Sequence, residues 1–321
     1  MSDWRRLAAF FSLILLNCKL VGCRSPNQGA GGAASGQETA SPEVSLPGVD
    51  TSALTGRERR QWSGHVAALQ APCESVKLSV AQCVKESAAC AACLPAAKYV
   101  MGQVRAGLTT SQVENGYRAR FAADGVRAID VSGSPFKGAE DASVVMVEFA
   151  DFECPACQMA APIVDEVVAK HSTELKFVYK NFPLPSHPNS EMAARSSVAA
   201  GRQGKFWEMH DALFKHRGPL DRAALDGIAR QLGLNAKAFS ADLESEAVAD
   251  LVNRDRKLGE AIELKGTPSI FINGRRFEST AGFKEDLAAW VELELELQKD
   301  HAKKPAAAKE SAGSGGAVLS K

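Results

Sequence analysis

The most constraining feature of this sequence is a pair of cysteines that follows a run of apolar residues. Residues 143–150 read SVVMVEFA, which is typical of a strand buried on both faces of a sheet. Cys154 and Cys157 come shortly after this run, at the start of a segment with apolar residues at helical spacing: Met159, Ile163, Val167 and Val168. The sequence therefore predicts a buried strand that leads into a helix, with both cysteines at the start of the helix.

Two cysteines at positions i and i+3 of a helix start suit thiol-disulfide exchange, because the pair can close or open with little backbone movement. Cys154 would occupy the helix N-terminus, where unpaired N–H groups and the macrodipole stabilise a thiolate. Pro155 fits the first helical turn, where a missing N–H removes no hydrogen bond. Cys157 would lie a turn deeper and be more shielded. We predict that Cys154 is the nucleophile and that Cys157 is the resolving thiol.

The alternatives for this pair are an inert disulfide and half of a zinc site. Zinc would need two more ligands nearby. Residues 123–299 contain no second CxxC and no histidine pair with metal spacing. The sequence therefore predicts no metal and no cofactor, and it leaves an inert disulfide as the alternative to a redox-active pair.

Strand-like and helix-like segments alternate around the cysteine pair. Residues 126–131 and 175–182 have strand character, the region 189–263 is mainly helical, and Asn273-Gly274 is a typical hairpin turn. An amphipathic helix completes the region. This order predicts an α/β fold with a helical insertion between its two halves.

Residues 123–299 resemble the DsbA branch of the thioredoxin fold, the periplasmic thiol-disulfide oxidoreductases. Four features carry the resemblance: the Cys-Pro-Ala-Cys motif at a strand-to-helix junction, the acid Glu148 in the preceding strand, the helical block, and Thr267-Pro268 before the late strand. The resemblance implies a thioredoxin-like fold with a DsbA-type helical insertion. It also implies exchange of disulfides with exported proteins that contain cysteines, and a membrane redox partner that recycles the CxxC.

The resemblance also implies roles for single residues. Burial of Glu148 would raise its pKa, and the matching family position holds a buried acid that assists proton transfer with the resolving cysteine. A glutamate that reaches solvent at a strand edge is the alternative. Thr267 and Pro268 would be the cis-proline segment beside which substrate pairs as an added strand, with a trans proline as the alternative. Ala156 replaces the histidine of the strong oxidants, so the direction of electron flow stays open.

Residues 61–122 are predicted to form a small helical segment with four more cysteines: Cys73, Cys83, Cys90 and Cys93. Cys90-x-x-Cys93 and the residues after it weakly resemble the helical redox domain of CcmH-type proteins, which act as thiol reductants in cytochrome c maturation. Three interpretations stay open. They are two structural disulfides, a redox-active pair that relays electrons to Cys154, and a four-cysteine zinc site.

Residues 1–23 have the pattern of a signal peptide. Arg5 and Arg6 precede an apolar stretch that is too short to span a bilayer as a helix. Residues 20–23 read LVGC, which resembles the bacterial lipobox and implies a lipid on Cys23. Secretion without a lipid is the alternative, and both place the protein where disulfides persist.

The remaining termini are predicted to be flexible. Residues 24–60 read as a linker and residues 300–321 as a disordered tail, because both are rich in small residues and lack a hydrophobic period. Cleavage before Cys23 and its lipidation would leave six cysteines, the even number expected of an exported protein. The formal net charge of +0 gives no global attraction to nucleic acid or anionic lipid.

Together these features predict a periplasmic, membrane-anchored thiol-disulfide oxidoreductase that acts through Cys154-Pro155-Ala156-Cys157. Two alternatives stay open. One is a thiol reductase that serves cytochrome c maturation, and the other is a non-catalytic thioredoxin-like lipoprotein that binds partners.

Overall fold

The computed structural model of the 321-residue chain describes four stretches: residues 43–73, 75–87, 90–279 and 282–310. The predicted signal peptide and Cys23 lie outside the described residues. Within the described stretches, no helix is long and apolar enough to cross a bilayer.

The amino-terminal part of the described chain is helical, as predicted for residues 61–122. Its helices are α1 (Gly56–Ala68), α2 (Val80–Lys85), α3 (Cys93–Arg105) and α4 (Thr110–Phe121). Capping boxes start α1, α2 and α4, where Thr55, Ser79 and Thr109 accept hydrogen bonds from N–H groups of the first turn. The helices enclose their own apolar core around Trp62, which is fully buried.

The predicted linker is wrong from residue 43 onward. Leu46 and Leu54 are each 4% exposed and belong to the core of the helical segment. The backbone N–H of Val44 donates a hydrogen bond to Ser63 Oγ at 2.9 Å, and α1 already begins at Gly56. Two buried leucines and a capping box thus order a stretch whose small, polar residues show no hydrophobic period. Residues 24–42 of the predicted linker lie outside the described residues.

Within the described ranges, five strands form one sheet in the order β1-β3-β2-β4-β5. The strands are β1 (Phe136–Gly138), β2 (Val144–Ala150), β3 (Leu175–Asn181), β4 (Ser269–Ile272) and β5 (Arg275–Arg276). β2 pairs with β3 in parallel and with β4 antiparallel, so it lies at the centre. The strand expected at residues 126–131 is wrong, because only Val126 makes a bridge there, to Arg275.

Seven helices complete the described part of this half of the chain. α5 (Pro155–Lys170) joins β2 to β3, and α11 (Phe283–Glu310) follows the hairpin of β4 and β5. The insertion between β3 and β4 contains α6 (Ser190–Gly201), α7 (Phe206–Lys215), α8 (Arg222–Gln231), α9 (Ala236–Glu244) and α10 (Glu246–Ala261). The predicted thioredoxin-like α/β fold with a helical insertion after a Cys-rich helical segment is confirmed. The predicted tail at 300–321 is wrong up to Glu310, where α11 ends.

A buried ion pair attaches the helical segment to the sheet. Arg120 in α4 is 1% exposed, and its Nη1 donates to Glu294 Oε1 of α11 at 2.5 Å. Asn273 Nδ2 donates to the other oxygen of Glu294 at 2.9 Å. Burial lowers the pKa of Arg120 to about 10, and the Glu294 carboxylate opposes that effect. The helical segment is therefore fixed at the Asn273 end of β4, away from Ser269 where that strand begins.

Candidate active site

Cys154 is the N-cap residue of α5, and Pro155 is the first residue of that helix. The backbone N–H of Cys154 donates to the Asp151 carbonyl at 3.1 Å, which turns the chain from β2 into the helix. The Cys154 side chain is 6% exposed. Its sulfur lies 3.4 Å from the Thr267 carbonyl oxygen. The strand-helix junction predicted from the sequence thus places this sulfur against the loop before β4.

The surroundings of Cys154 favour its thiolate. Its pKa falls from the ordinary 9.0 to about 5, first because the Cys157 thiol donates a hydrogen bond to the sulfur. Thr267 and the N–H groups of Cys157 and Ala156 add smaller contributions, and partial burial opposes them. The Cys154 thiol therefore ionises more readily than an ordinary cysteine thiol.

Cys157 has the opposite electrostatic character. It is fully buried, and both Cys154 and Cys157 are free thiols. Its pKa is raised well above the ordinary value, because its proton is held in the hydrogen bond to Cys154 and because burial penalises a thiolate. The negative charge of Glu148 raises it further. Cys157 therefore stays protonated while the Cys154 sulfur is ionised.

Glu148 lies in the central strand β2 and is 2% exposed, so the alternative of a glutamate that reaches solvent is wrong. Its register partners are Tyr179 on β3 and Ile270 on β4. Burial raises the pKa of Glu148 to about 8. A carboxyl group with this pKa, close enough to affect Cys157, can take up and release a proton near neutral pH.

The segment before β4 faces the cysteine pair. The peptide bond between Thr267 and Pro268 is cis, as the family resemblance implied. The Thr267 hydroxyl is buried and has no hydrogen-bond partner elsewhere in the described residues, so it is available to the Cys154 sulfur. The structure thus brings together the predicted residues Glu148, Cys154, Cys157, Thr267 and Pro268.

His187 is a site residue that sequence reasoning missed. It lies in the loop after β3, and its Nδ1 is 2.7 Å from Oδ2 of Asp151, which is 1% exposed. The pKa of His187 is raised, first by its hydrogen bond to Asp151, and the negative charge of Cys154 contributes. A positive charge can therefore develop near the thiolate although Ala156 supplies none. No sequence spacing indicates this contact, because it spans two elements of the fold.

An apolar cavity of about 490 Å³ lies beside the motif and was also missed. Its walls include Ala156, Met159, Pro268, Phe277 and Phe283. Met159 is one of the apolar residues at helical spacing in α5, and it is 69% exposed. This cavity therefore places an apolar surface directly beside the reactive cysteines.

The four amino-terminal cysteines form two disulfides, Cys73–Cys90 and Cys83–Cys93. Cys90 and Cys93 are therefore not bonded to each other. The interpretation as a redox-active CxxC pair requires a disulfide between them, which this structure does not contain. The disulfides agree with the first of the three interpretations. They leave no thiolate for the four-cysteine zinc site in this state.

A direct relay from these cysteines to Cys154 within one molecule does not fit the fold. Cys73 shares a cavity with Asn273 and Glu294, at the end of β4 that the helical segment covers. Cys154 contacts Thr267, before the opposite end of β4. Ser269 and Asn273 are roughly 13 Å apart along an extended strand, so Cys73 and Cys154 lie towards opposite ends of β4.

Comparison with known proteins decides the family. A family model described as Thioredoxin matches residues 130–292, half of the chain, and the match includes every residue of the site. The chain belongs to the thioredoxin family. The recognition made from the cysteine motif, Glu148 and Thr267-Pro268 is therefore confirmed at the level of family and fold.

This thioredoxin-family protein also resembles solved structures of bacterial redox proteins. A thioredoxin-like oxidoreductase from Silicibacter pomeroyi DSS-3 is 26% identical, with a TM-score of 0.46, over 54% of this chain and 94% of that one. BdbD from Bacillus subtilis is 24% identical, with a TM-score of 0.48, over 53% of this chain and 97% of that one.

Curated relatives match a little under half of this thioredoxin-family chain. The Na(+)/H(+) antiporter NhaA of Herminiimonas arsenicoxydans is 38% identical over 152 residues, which are 47% of this chain and 24% of that protein. NhaA 1 of Salinispora arenicola is also 38% identical, over 149 residues. The chain spans about a quarter of the length of these relatives, so the similarity concerns one part of each protein.

Proposed function

We propose that this thioredoxin-family protein is a thiol-disulfide oxidoreductase that exchanges disulfides with cysteines of exported proteins. The observation that carries the proposal is the unequal pair at the start of α5. Cys154 has a pKa of about 5, whereas Cys157 is buried and holds its proton. A structural disulfide does not require the two thiols to differ in pKa, whereas a nucleophilic thiol and a resolving thiol do.

In the reductive direction, the Cys154 thiolate attacks one sulfur of a substrate disulfide. A Cys154–substrate bond forms, and the other substrate sulfur leaves as a thiolate. Cys157 then gives its proton to Glu148 and attacks the Cys154 sulfur, which releases the second substrate thiolate and forms the Cys154–Cys157 disulfide. The substrate gains the two electrons that the cysteine pair loses. Run backwards, the same steps oxidise a substrate dithiol.

The loop before β4 and the apolar cavity are the proposed substrate site. Thr267 and Pro268 lie against Cys154, where an extended polypeptide can pair with the backbone as an added strand. The cavity lined by Met159, Phe277 and Phe283 continues from Pro268 and suits an apolar side chain next to the substrate cysteine. This combination favours unfolded or extended protein substrates over small thiols.

Two standard assays on the purified protein test the proposed function. Insulin reduction and oxidation of reduced ribonuclease each measure one direction of electron flow. We expect turnover in at least one assay, and none from the Cys154→Ala/Cys157→Ala double variant. A non-catalytic binding protein would give no turnover in either assay, so this result would refute the proposal.

Glu148→Gln should slow resolution of the mixed disulfide, because Cys157 loses the group that takes its proton. We expect a roughly 10²-fold slower second step, with the first attack by Cys154 nearly unchanged. Stopped-flow measurement with a disulfide peptide separates the two steps. Tyr179→Phe at the register partner of Glu148 is the matched control for a change in the buried strand. Equal slowing of both steps by Glu148→Gln would show a folding defect instead.

We also propose that the protein is exported and carries a lipid on Cys23. The basic start, the short apolar stretch and the LVGC sequence support the anchor, and the two disulfides of the helical segment suit an oxidising compartment. Mass spectrometry of the mature amino terminus should find Cys23 as the first residue with a lipid mass. An unmodified terminus at another residue would rule out the anchor, and Cys23→Ser should abolish membrane association.

A further inference from the structure

The two disulfides of the helical segment lie against each other. The Sγ atoms of Cys83, Cys90 and Cys93 are all within 4.8 Å of one another, although Cys90 is bonded to Cys73 and not to either of them. Two disulfides that only stabilise the fold would not need their sulfur atoms this close together. A sulfur released from one disulfide would already be in reach of the other.

Access to the cluster is uneven. Cys83, Cys90 and Cys93 are 1%, 6% and 2% exposed, so they offer a partner less access than Cys73 does. Cys73 is only half-buried and lines two cavities, of about 400 Å³ and 270 Å³. A thiolate from outside would therefore enter at the Cys73 sulfur.

We propose that these four cysteines form a second thiol-disulfide exchange site, which accepts electrons from a protein dithiol. One partner thiolate attacks Sγ of Cys73, the Cys73–Cys90 bond breaks, and Cys90 leaves as a thiolate. Cys90 then attacks Sγ of Cys93, so that a Cys90–Cys93 bond forms and Cys83 leaves. The second partner thiol displaces Cys73. The partner loses two electrons and two protons, which the chain holds as thiols on Cys73 and Cys83.

The backbone favours Cys93 as the sulfur that Cys90 attacks. Cys93 is the first residue of α3, and its N–H donates to the Cys90 carbonyl at 3.2 Å. This turn already brings the ends of the Cys90-x-x-Cys93 motif together. Cys83 belongs to a different helix, α2, so its release needs no movement of that turn. The Cys90-x-x-Cys93 motif thus becomes a bonded pair only after reduction.

Limited reduction tests this site in the full chain with Cys154→Ala and Cys157→Ala, which removes the other exchange site. One molar equivalent of dithiothreitol is added, free thiols are alkylated at once under native conditions, and mass spectrometry identifies the labelled cysteines. We expect equal labelling of Cys73 and Cys83, with a Cys90–Cys93 disulfide left. Peptide mapping also separates Cys18 and Cys23 from the cluster.

Each other labelling pattern contradicts a part of the proposal. Labels on Cys73 and Cys90 would show that the second disulfide is an independent staple. Labels on Cys73 and Cys93 would refute the choice of attacked sulfur, and labels on Cys83 and Cys93 would refute entry at Cys73. No labelling, or labelling of all four in the same molecules, would refute stepwise exchange. These outcomes do not depend on the Cys154 site, so either proposal can fail alone.

A matched variant provides the reference product. Cys83→Ala/Cys93→Ala retains the Cys73–Cys90 disulfide but removes the acceptor of the Cys90 thiolate. The same reduction should then label Cys73 and Cys90 equally, and circular dichroism reports whether the variant is folded. The main experiment keeps all four cysteines and stands whether or not this variant folds.

Discussion

Cys157→Ala is expected to convert the protein into a trap for its substrates. Cys154 would still attack a substrate disulfide, but no neighbouring thiol could displace the bound chain. Mixed disulfides should accumulate as high-mass species that a reductant abolishes, and turnover should fall to background. Cys154→Ala should abolish both attack and trapping, because Cys157 is fully buried and keeps its proton.

Non-reducing gel electrophoresis of cells that express each variant measures this difference. The two variants are matched, since each removes one sulfur from the same helix start. Loss of the buried Cys157 sulfur costs on the order of 1 kcal/mol of folding free energy, so circular dichroism should confirm that the variant is folded. Trapping by Cys154→Ala and none by Cys157→Ala would reverse the assigned roles. Identification of the trapped proteins would name the substrates.

The fold was predictable where one segment carries its own signal. The apolar runs of β2 and β3 are buried on both faces, and this pattern appears in the residues themselves. The prediction of a strand at residues 126–131 was wrong, because that stretch forms only one bridge, between Val126 and Arg275. The prediction of a flexible linker was wrong from residue 43 onward, because Leu46 and Leu54 pack into a core that includes residues up to Phe121. Local composition cannot show such contacts.

The same distinction holds at the site. Cys154, Cys157 and Glu148 lie within one strand-turn-helix unit, so their proximity followed from spacing. His187 reaches Asp151 across 36 residues, and no periodicity marks that contact. The pairing of the four amino-terminal cysteines also could not be predicted from the sequence, because four cysteines allow three connectivities. In the observed connectivity, the two cysteines of the Cys90-x-x-Cys93 motif belong to different disulfides.

The reactivity of Cys154 is expected to titrate near pH 5. An ordinary cysteine has a pKa of 9.0, and the hydrogen bonds from Cys157, Thr267 and the helix start lower that of Cys154 to about 5. Because the thiolate is the form that reacts, the alkylation rate should be constant from pH 8 to pH 6 and should fall as the pH drops through 5. Iodoacetamide labelling of the reduced protein measures the profile. A low-pKa thiolate is also intrinsically less nucleophilic, so the midpoint rather than the absolute rate is the quantity to compare.

Two variants test the physical cause of that midpoint. Thr267→Val keeps the shape of the side chain and removes the hydroxyl, so the midpoint should rise above that of the wild type. Cys157→Ala removes the largest contribution and should raise it further, toward the ordinary value of 9.0. Unfolding in denaturant removes all of these contacts and should return the midpoint to about 9. A wild-type midpoint near 9, or a larger rise in Thr267→Val than in Cys157→Ala, would show that the S–H hydrogen bond is not what stabilises the thiolate. The proposed division of roles between the two cysteines would then lose its electrostatic basis.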